Sequence, residues 1–191
     1  MRKPSFLFPL VLALPLAACF DAEMSLDFPG EDRAEATMVM TASPDFYALA
    51  TSSGEAFCEG EESMNEDGQH VCTETTGGTI DEIMNDPDIG SGMTIERRDG
   101  ELIYVAFDLG DITEDIAPPE EEGADEMMAM MREAFAGRSI TLNISGAEIV
   151  ETNGTVSDDG TTSTYEIPLT VALDGAGDLP ETFNALVRPG G

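Results

Sequence analysis

Apolar and polar positions alternate twice near the start of the chain. Ala22, Met24, Leu26 and Phe28 are separated by Glu23, Ser25 and Asp27, and beyond Pro29-Gly30 the pattern resumes with Ala34, Ala36, Met38 and Met40. A period of two sends successive side chains to opposite faces, so both runs predict half-buried strands joined by a turn. Ser43-Pro44-Asp45 then combines an N-cap, a first-turn proline and an acid at the positive end of a helix dipole. It predicts a helix with Phe46, Leu49 and Ala50 facing inward. Thr79-Ile80-Asp81-Glu82 has capping-box spacing and opens a second short helix through Ile83 and Met84, ended by Pro87. Residues 93–98 and 101–109 flank Asp99-Gly100, read as a two-residue hairpin turn that sets Arg98 opposite Glu101 and Ile95 opposite Tyr104. The second of these strands is apolar on both faces. Leu102 and Tyr104 share one face, and Ile103, Val105, Phe107 and Leu109 the other; such a strand is sandwiched between layers or lines a cavity.

Residues 111–122 are acidic and broken by proline, which predicts a loop. Residues 125–136 predict a helix carrying Met127, Met128, Met130, Met131 and Phe135 and ended by Gly137. A long hairpin follows, with Ile140, Leu142 and Ile144 running out to Val150 and Tyr165, Ile167, Leu169, Val171 and Leu173 returning. A turn at Asp159-Gly160 sets Leu169 opposite Val150 and Ile167 opposite Thr152. The stretch 179–187 suits a short helix or a strand. No internal repeat is visible. The class these elements predict is α+β: an antiparallel sheet of several strands with two to four short helices, and room for an apolar cavity.

Ahead of the first strand lies an apolar run from Phe6 to Leu16, preceded by Arg2 and Lys3 and followed by Leu16-Ala17-Ala18-Cys19. The run is shorter than the about 20 residues of a membrane span and contains Pro9 and Pro15. A basic start, an apolar centre and small residues before a cysteine have the form of a lipoprotein signal peptide over 1–18. Cys19 is then the lipidation site, its sulfur carrying diacylglycerol, with palmitate among the expected acyl chains. A single extracytoplasmic domain, 19–191, would follow. Phe20 rather than an acid comes after Cys19, which favours an outer membrane, facing the periplasm.

Charge changes the picture further. The formal charge is −31, and loss of Arg2 and Lys3 with the leader lowers it by two, to −33, leaving no lysine. Such a field excludes nucleic acid and favours divalent cations or a basic protein partner; a generally acidic proteome would give the same numbers. Cys58 and Cys72 are the only cysteines besides Cys19. An oxidising compartment makes them a disulfide, contributing roughly 3 kcal/mol by constraining the denatured chain. Glu59, Glu61, Glu62, Glu66 and Asp67 lie between them, so the bridge reads as a staple on an exposed acidic loop.

Phe135-Ala136-Gly137, the run Ile140-Thr141-Leu142-Asn143-Ile144-Ser145-Gly146, and Val150-Glu151-Thr152-Asn153-Gly154 carry a resemblance, with Asp159-Gly160 and Tyr165-Glu166-Ile167-Pro168-Leu169. In these residues, and in the leader followed directly by a strand, the chain resembles the LppM-like family of bacterial lipoproteins. The resemblance implies a compact α+β domain with an apolar cavity, and binding of a lipid or glycolipid. Many members end in a transmembrane helix, whereas this sequence closes on Arg188-Pro189-Gly190-Gly191. The resemblance names no catalytic residues.

Other chemistry is weaker. Cys58, His70 and Cys72, with Met64, have the ligand types of a soft-metal site, and the methionines at 127–131 those of a copper site. A disulfide and a pliable apolar helix face explain the same residues. Asp86-Pro87-Asp88-Ile89-Gly90 and the acids of 108–115 offer calcium ligands without EF-hand spacing. No Gly-x-Ser-x-Gly elbow is present, and the only histidine sits between the paired cysteines. The expectation is therefore no enzyme, no cofactor and no metal. It is a membrane-anchored module binding a lipid-like ligand in a pocket formed by Tyr104, Val105, Phe107, Met127, Met130, Met131 and Phe135. The alternative is a solid-cored envelope interaction or assembly protein whose acidic loops take basic partners or divalent cations.

Overall fold

A seven-stranded and a four-stranded sheet carry the fold. The computed structural model describes residues 20–53, 56–85, 92–114, 124–174 and 179–191, with the side chains at 49, 53, 114, 124–127 and 130 outside that description. The larger sheet contains β1 (Phe20–Gly30), β2 (Arg33–Ala42), β3 (Glu61–Met64), β4 (His70–Thr79), β7 (Ser139–Ser145), β9 (Thr155–Val156) and β10 (Thr162–Pro168). Its order is β3-β4-β2-β1-β7-β10-β9. The smaller sheet contains β5 (Met93–Arg98), β6 (Leu102–Asp108), β8 (Glu148–Thr152) and β11 (Thr182–Arg188), in the order β5-β6-β11-β8. The described helices are α1 (Pro44–Ala50), α2 (Ile80–Met84), α3 (Leu109–Glu114), α4 (Ala124–Ala134) and α5 (Leu169–Leu173), with a 3-10 turn at Thr51–Ser53. None of them is long and apolar enough to cross a membrane.

The alternation in β1 and β2 does what its period demands. Met24 pairs with Met38 and Leu26 with Ala36, so both apolar sets share one face. On the other side of β1 lies β7, with Met24 beside Leu142 and Leu26 beside Ile144. Ile103, Val105 and Phe107 of β6 and Phe183, Ala185 and Val187 of β11 are buried from the opposing sheet. Among the described residues, Phe28 and Phe183 are the largest side chains wholly withdrawn from water. Polar residues hold the outer face of the larger sheet: Asn143 Nδ2 donates to Glu23 Oε1 at 2.7 Å and Ser145 Oγ to Asp27 Oδ1 at 2.8 Å.

Helix starts follow the expected chemistry. Phe46 N donates to Ser43 Oγ at 3.2 Å, and the capping box is closed by Glu82 N to Thr79 Oγ1 and Thr79 N to Glu82 Oε2. Ile80 and Ile83 are thereby set into the core.

Several expectations need correction. The fold has two sheets rather than one, and the larger is mixed, because β1 runs parallel to β7. Five short α-helices are described, beyond the two to four expected. The β5–β6 turn has three residues, since Glu101 also adopts a left-handed backbone, φ 61°. Ile95 therefore faces Val105 and Arg98 faces Leu102. The one-residue shift places Ile95 on the same inward face as Val105. Leu109 opens α3 instead of ending the strand, and 111–114, expected as the start of a loop, is helical, with Asp108 Oδ1 accepting from Gly110 N and Asp111 N. The long hairpin is divided between the sheets. Ile167 faces Ile140, Thr152 faces Ala185, and Leu169–Leu173 is helix rather than strand. The crossing occurs at Gly146, where a Cβ would lie 2.5 Å from Val187 Cγ1 and 2.7 Å from Arg188 O. Only glycine lets the chain pass so close to β11. Finally, the acidic stretch between the cysteines is not a plain loop: it contains β3 and leads into β4, which extends the larger sheet past β2.

Candidate functional site

The larger sheet is wider than the smaller one, so part of its inner face lies uncovered at β2 and β4. There a pocket of about 310 Å³ opens between the sheets. Met24 and Leu26 of β1 and Ala36 and Met38 of β2 contribute to its lining, with Met93 of β5 and Phe107 of β6 contributed by the other sheet. Met38 and Ala36 stand beside Glu74 and Thr76 of β4, which also line it. Glu59 completes the lining from the segment before β3. A larger recess of about 540 Å³ involves Glu31, Asp32, Arg97 and Arg98. One ion pair crosses it: Arg97 pairs with Asp32 and donates to the backbone Glu31 O at 3.1 Å. The smaller pocket has a floor of apolar side chains from β1 and β2.

The disulfide shapes its rim. Cys58 and Cys72 are bridged with a Cα–Cα separation of 5.5 Å, and Cys72 is completely buried in β4. The next residue, Glu59, donates its backbone N–H to Glu74 Oε1 at 3.3 Å. Gly60 lies so close to β4 that a Cβ would fall 2.3 Å from Thr73 O and 2.7 Å from Glu74 Cγ. Bridge, hydrogen bond and close backbone approach together fix Glu59 beside Glu74. Beyond this rim an aromatic group closes the end of the sheet. Phe20 meets Phe46 at 5.3 Å, Tyr47 stacks on His70 at 3.5 Å, and Phe57 meets Tyr47 edge-on at 5.4 Å. Glu62 bonds His70 Nδ1 at 3.2 Å. The hydrogen bond from the Tyr47 hydroxyl to Glu62, then burial and the negative charge of that carboxylate, raise the Tyr47 pKa above its usual value.

Among the described residues, the sequence-expected pocket residues do not converge. Phe107 lines the pocket. Val105 is wholly buried in the core, while its neighbour Tyr104 points to the opposite face of β6, with the Arg98 guanidinium 5.1 Å from its ring centre. Met131 is half-buried on α4, and Phe135 packs against the core. The side chains of Met127 and Met130 lie outside the described residues, as do Cys19, the leader and 86–90. Met24, Met38, Met93, Glu59 and Glu74 line the pocket and were missed, because they meet only through strand pairings and sheet packing. Among the described residues, one cluster of metal-ligand types is found, Cys58, Cys72 and Glu74 within 4.8 Å. Its two sulfurs are bonded to each other, leaving a single carboxylate. His70 stands apart from it on Tyr47 and Glu62.

No protein-family model matches the chain. No curated protein sequence matches it. Among solved structures, the NMR structure of the folded domain of LppM from Mycobacterium tuberculosis is similar, with a TM-score of 0.51 over 90% of this chain and 91% of that one. The chain has an LppM-like fold. At 13% identity the likeness to LppM is one of backbone architecture. It agrees with the resemblance read from the β7–β10 region, although the pairing within that region is not the one expected.

Proposed function

We propose that this protein is an LppM-like lipoprotein, a non-enzymatic binding module anchored through Cys19 that holds one apolar chain of a lipid-like ligand between its sheets. The pocket carries the reading: its floor of Met24, Leu26, Ala36 and Met38 is apolar, and methionine repacks around ligands of varied shape. Its volume is at the low end of the roughly 300–1,000 Å³ of small-molecule pockets, which suits a single chain better than two. The leader and Phe20 support placement at an outer membrane, facing the periplasm.

Native mass spectrometry on residues 20–191, purified from periplasm, tests the pocket. A co-purifying lipid mass is expected, and it should be lost in Ala36→Phe, which fills the floor. A bare mass, with no uptake of added fatty acid, would refute it. Cys19→Ala should abolish palmitate labelling and release the protein from membranes; retained labelling would refute the anchor.

The solid, fully buried core around Phe28 and Phe183 favours a second reading, an envelope interaction protein using its acidic surface for a basic partner or divalent cations. Salt separates the two: charge-driven partner binding falls steeply with ionic strength, and capture of an uncharged apolar chain does not.

A further inference from the structure

We propose that the pocket selects its ligand by head group, preferring an amphiphile with a cationic head, such as a quaternary or primary ammonium, on a single alkyl chain. This rests on the pocket binding an apolar chain at all, and adds what recognises the other end.

The observation is the composition of the lining. Its apolar floor, the Phe107 ring and the Met93 thioether accept a chain, but its carboxylate residues are Glu59 and Glu74, brought together where the Glu59 backbone N–H donates to Glu74 Oε1. The arginine ion pairs of the described residues are made elsewhere, to Asp21, Asp32, Glu96, Glu148 and Asp174. Glu74 is half-buried and Glu59 exposed, so the pair marks the water-facing end of the pocket. An ammonium there would meet both carboxylates while its chain entered the floor. A sulfate or phosphate head would meet the same charges with the wrong sign. Acids are common over this surface, yet these two are placed by specific means. The Cys58–Cys72 bridge and the tight passage of Gly60 over Thr73 bring Glu59 to the rim from a segment that otherwise points into solvent.

The test is calorimetric titration of residues 20–191, which contain both sheets, at low salt. The probes are dodecyltrimethylammonium, dodecyl maltoside and dodecyl sulfate, each below its micelle concentration. The cationic probe should bind with one-to-one stoichiometry about tenfold tighter than the neutral one, as two partly exposed charge pairs together supply. The sulfate should bind weakest. Glu59→Gln with Glu74→Gln, which keep shape and remove charge, should remove the difference between the cationic and the neutral probe. Equal binding of cationic and neutral probes to the parent would overturn the head-group preference and leave the apolar pocket standing. A preference that survives the double substitution would assign it to the general acidity of the surface and overturn it equally. If none of the three binds, the pocket reading itself falls.

Discussion

Breaking the disulfide at its outer end isolates what the bridge contributes. Cys58 is half-buried and Cys72 fully buried, so Cys58→Ala removes the bond without opening the interior. The cysteines are 14 residues apart, and a closed loop of about 15 residues contributes about 3 kcal/mol by restricting the denatured chain. That is a large part of the roughly 5–15 kcal/mol by which a domain is stable. With a urea dependence of about 2 kcal/mol per molar, the unfolding midpoint should fall by about 1.5 M. The protein has no tryptophan, so far-UV circular dichroism under non-reducing conditions is the suitable readout. The slope should rise slightly, because the denatured chain without the bridge exposes more surface, and amide exchange in β6 and β11 should remain protected in the native state, because the bridge lies outside the core between the sheets. A midpoint lowered by less than about 0.5 M would refute the reasoning. The denatured loop would then be restrained by something other than the bridge.

Phe183→Ala should cost about 3–5 kcal/mol in the same assay. The ring is fully buried, stacked between Phe107 at 6.1 Å and Tyr165 at 5.5 Å, and so joins one sheet to the other; a loss below about 1 kcal/mol would contradict that role. Gly60→Ala should displace the rim, because the new methyl meets a backbone oxygen at 2.3 Å; calorimetry should show the cationic preference reduced with neutral binding kept. Glu82 is held below its usual carboxyl range chiefly by the Thr79 backbone N–H, then by the Thr79 hydroxyl. With the folded pKa lowered, its contribution to stability is complete above the unfolded value of about 4.5 and is lost as pH falls through the folded one. NMR titration of Thr79→Ala should show the Glu82 pKa moving up; an unmoved value would remove the hydroxyl from the explanation.

Local chemistry was readable in the sequence, and long-range placement was not. The strands from 22 to 40, the capping box at Thr79 and the N-cap at Ser43 depend on neighbours within a few residues. β4 escaped notice because its sequence, His-Val-Cys-Thr-Glu-Thr-Thr-Gly-Gly-Thr, is polar on both faces; it lies where the smaller sheet no longer covers the larger, so burial demands little beyond Cys72. The β5–β6 register turned on Glu101, a residue type that seldom takes a left-handed backbone. The division of the long hairpin turned on Gly146 touching Val187, a contact across 41 positions. The pocket was illegible for the same reason: Met24, Glu74 and Phe107 meet only once two pairings and a sheet-on-sheet packing are known.

One consequence follows from where β1 begins. Phe20 is already paired, opposite Ala42, and packed on Phe46, one residue after Cys19. A pull applied at Cys19 would therefore meet no slack. It would act along an 11-residue strand gripped by β2 on one side and β7 on the other. Backbone hydrogen bonds on both flanks would have to shear together rather than peel one at a time. The arrangement is that of a mechanical clamp, resisting tension where a flexible tether would transmit it. Any body held by this end would stay within about a residue's length of its support, where a long tether would let it range much farther.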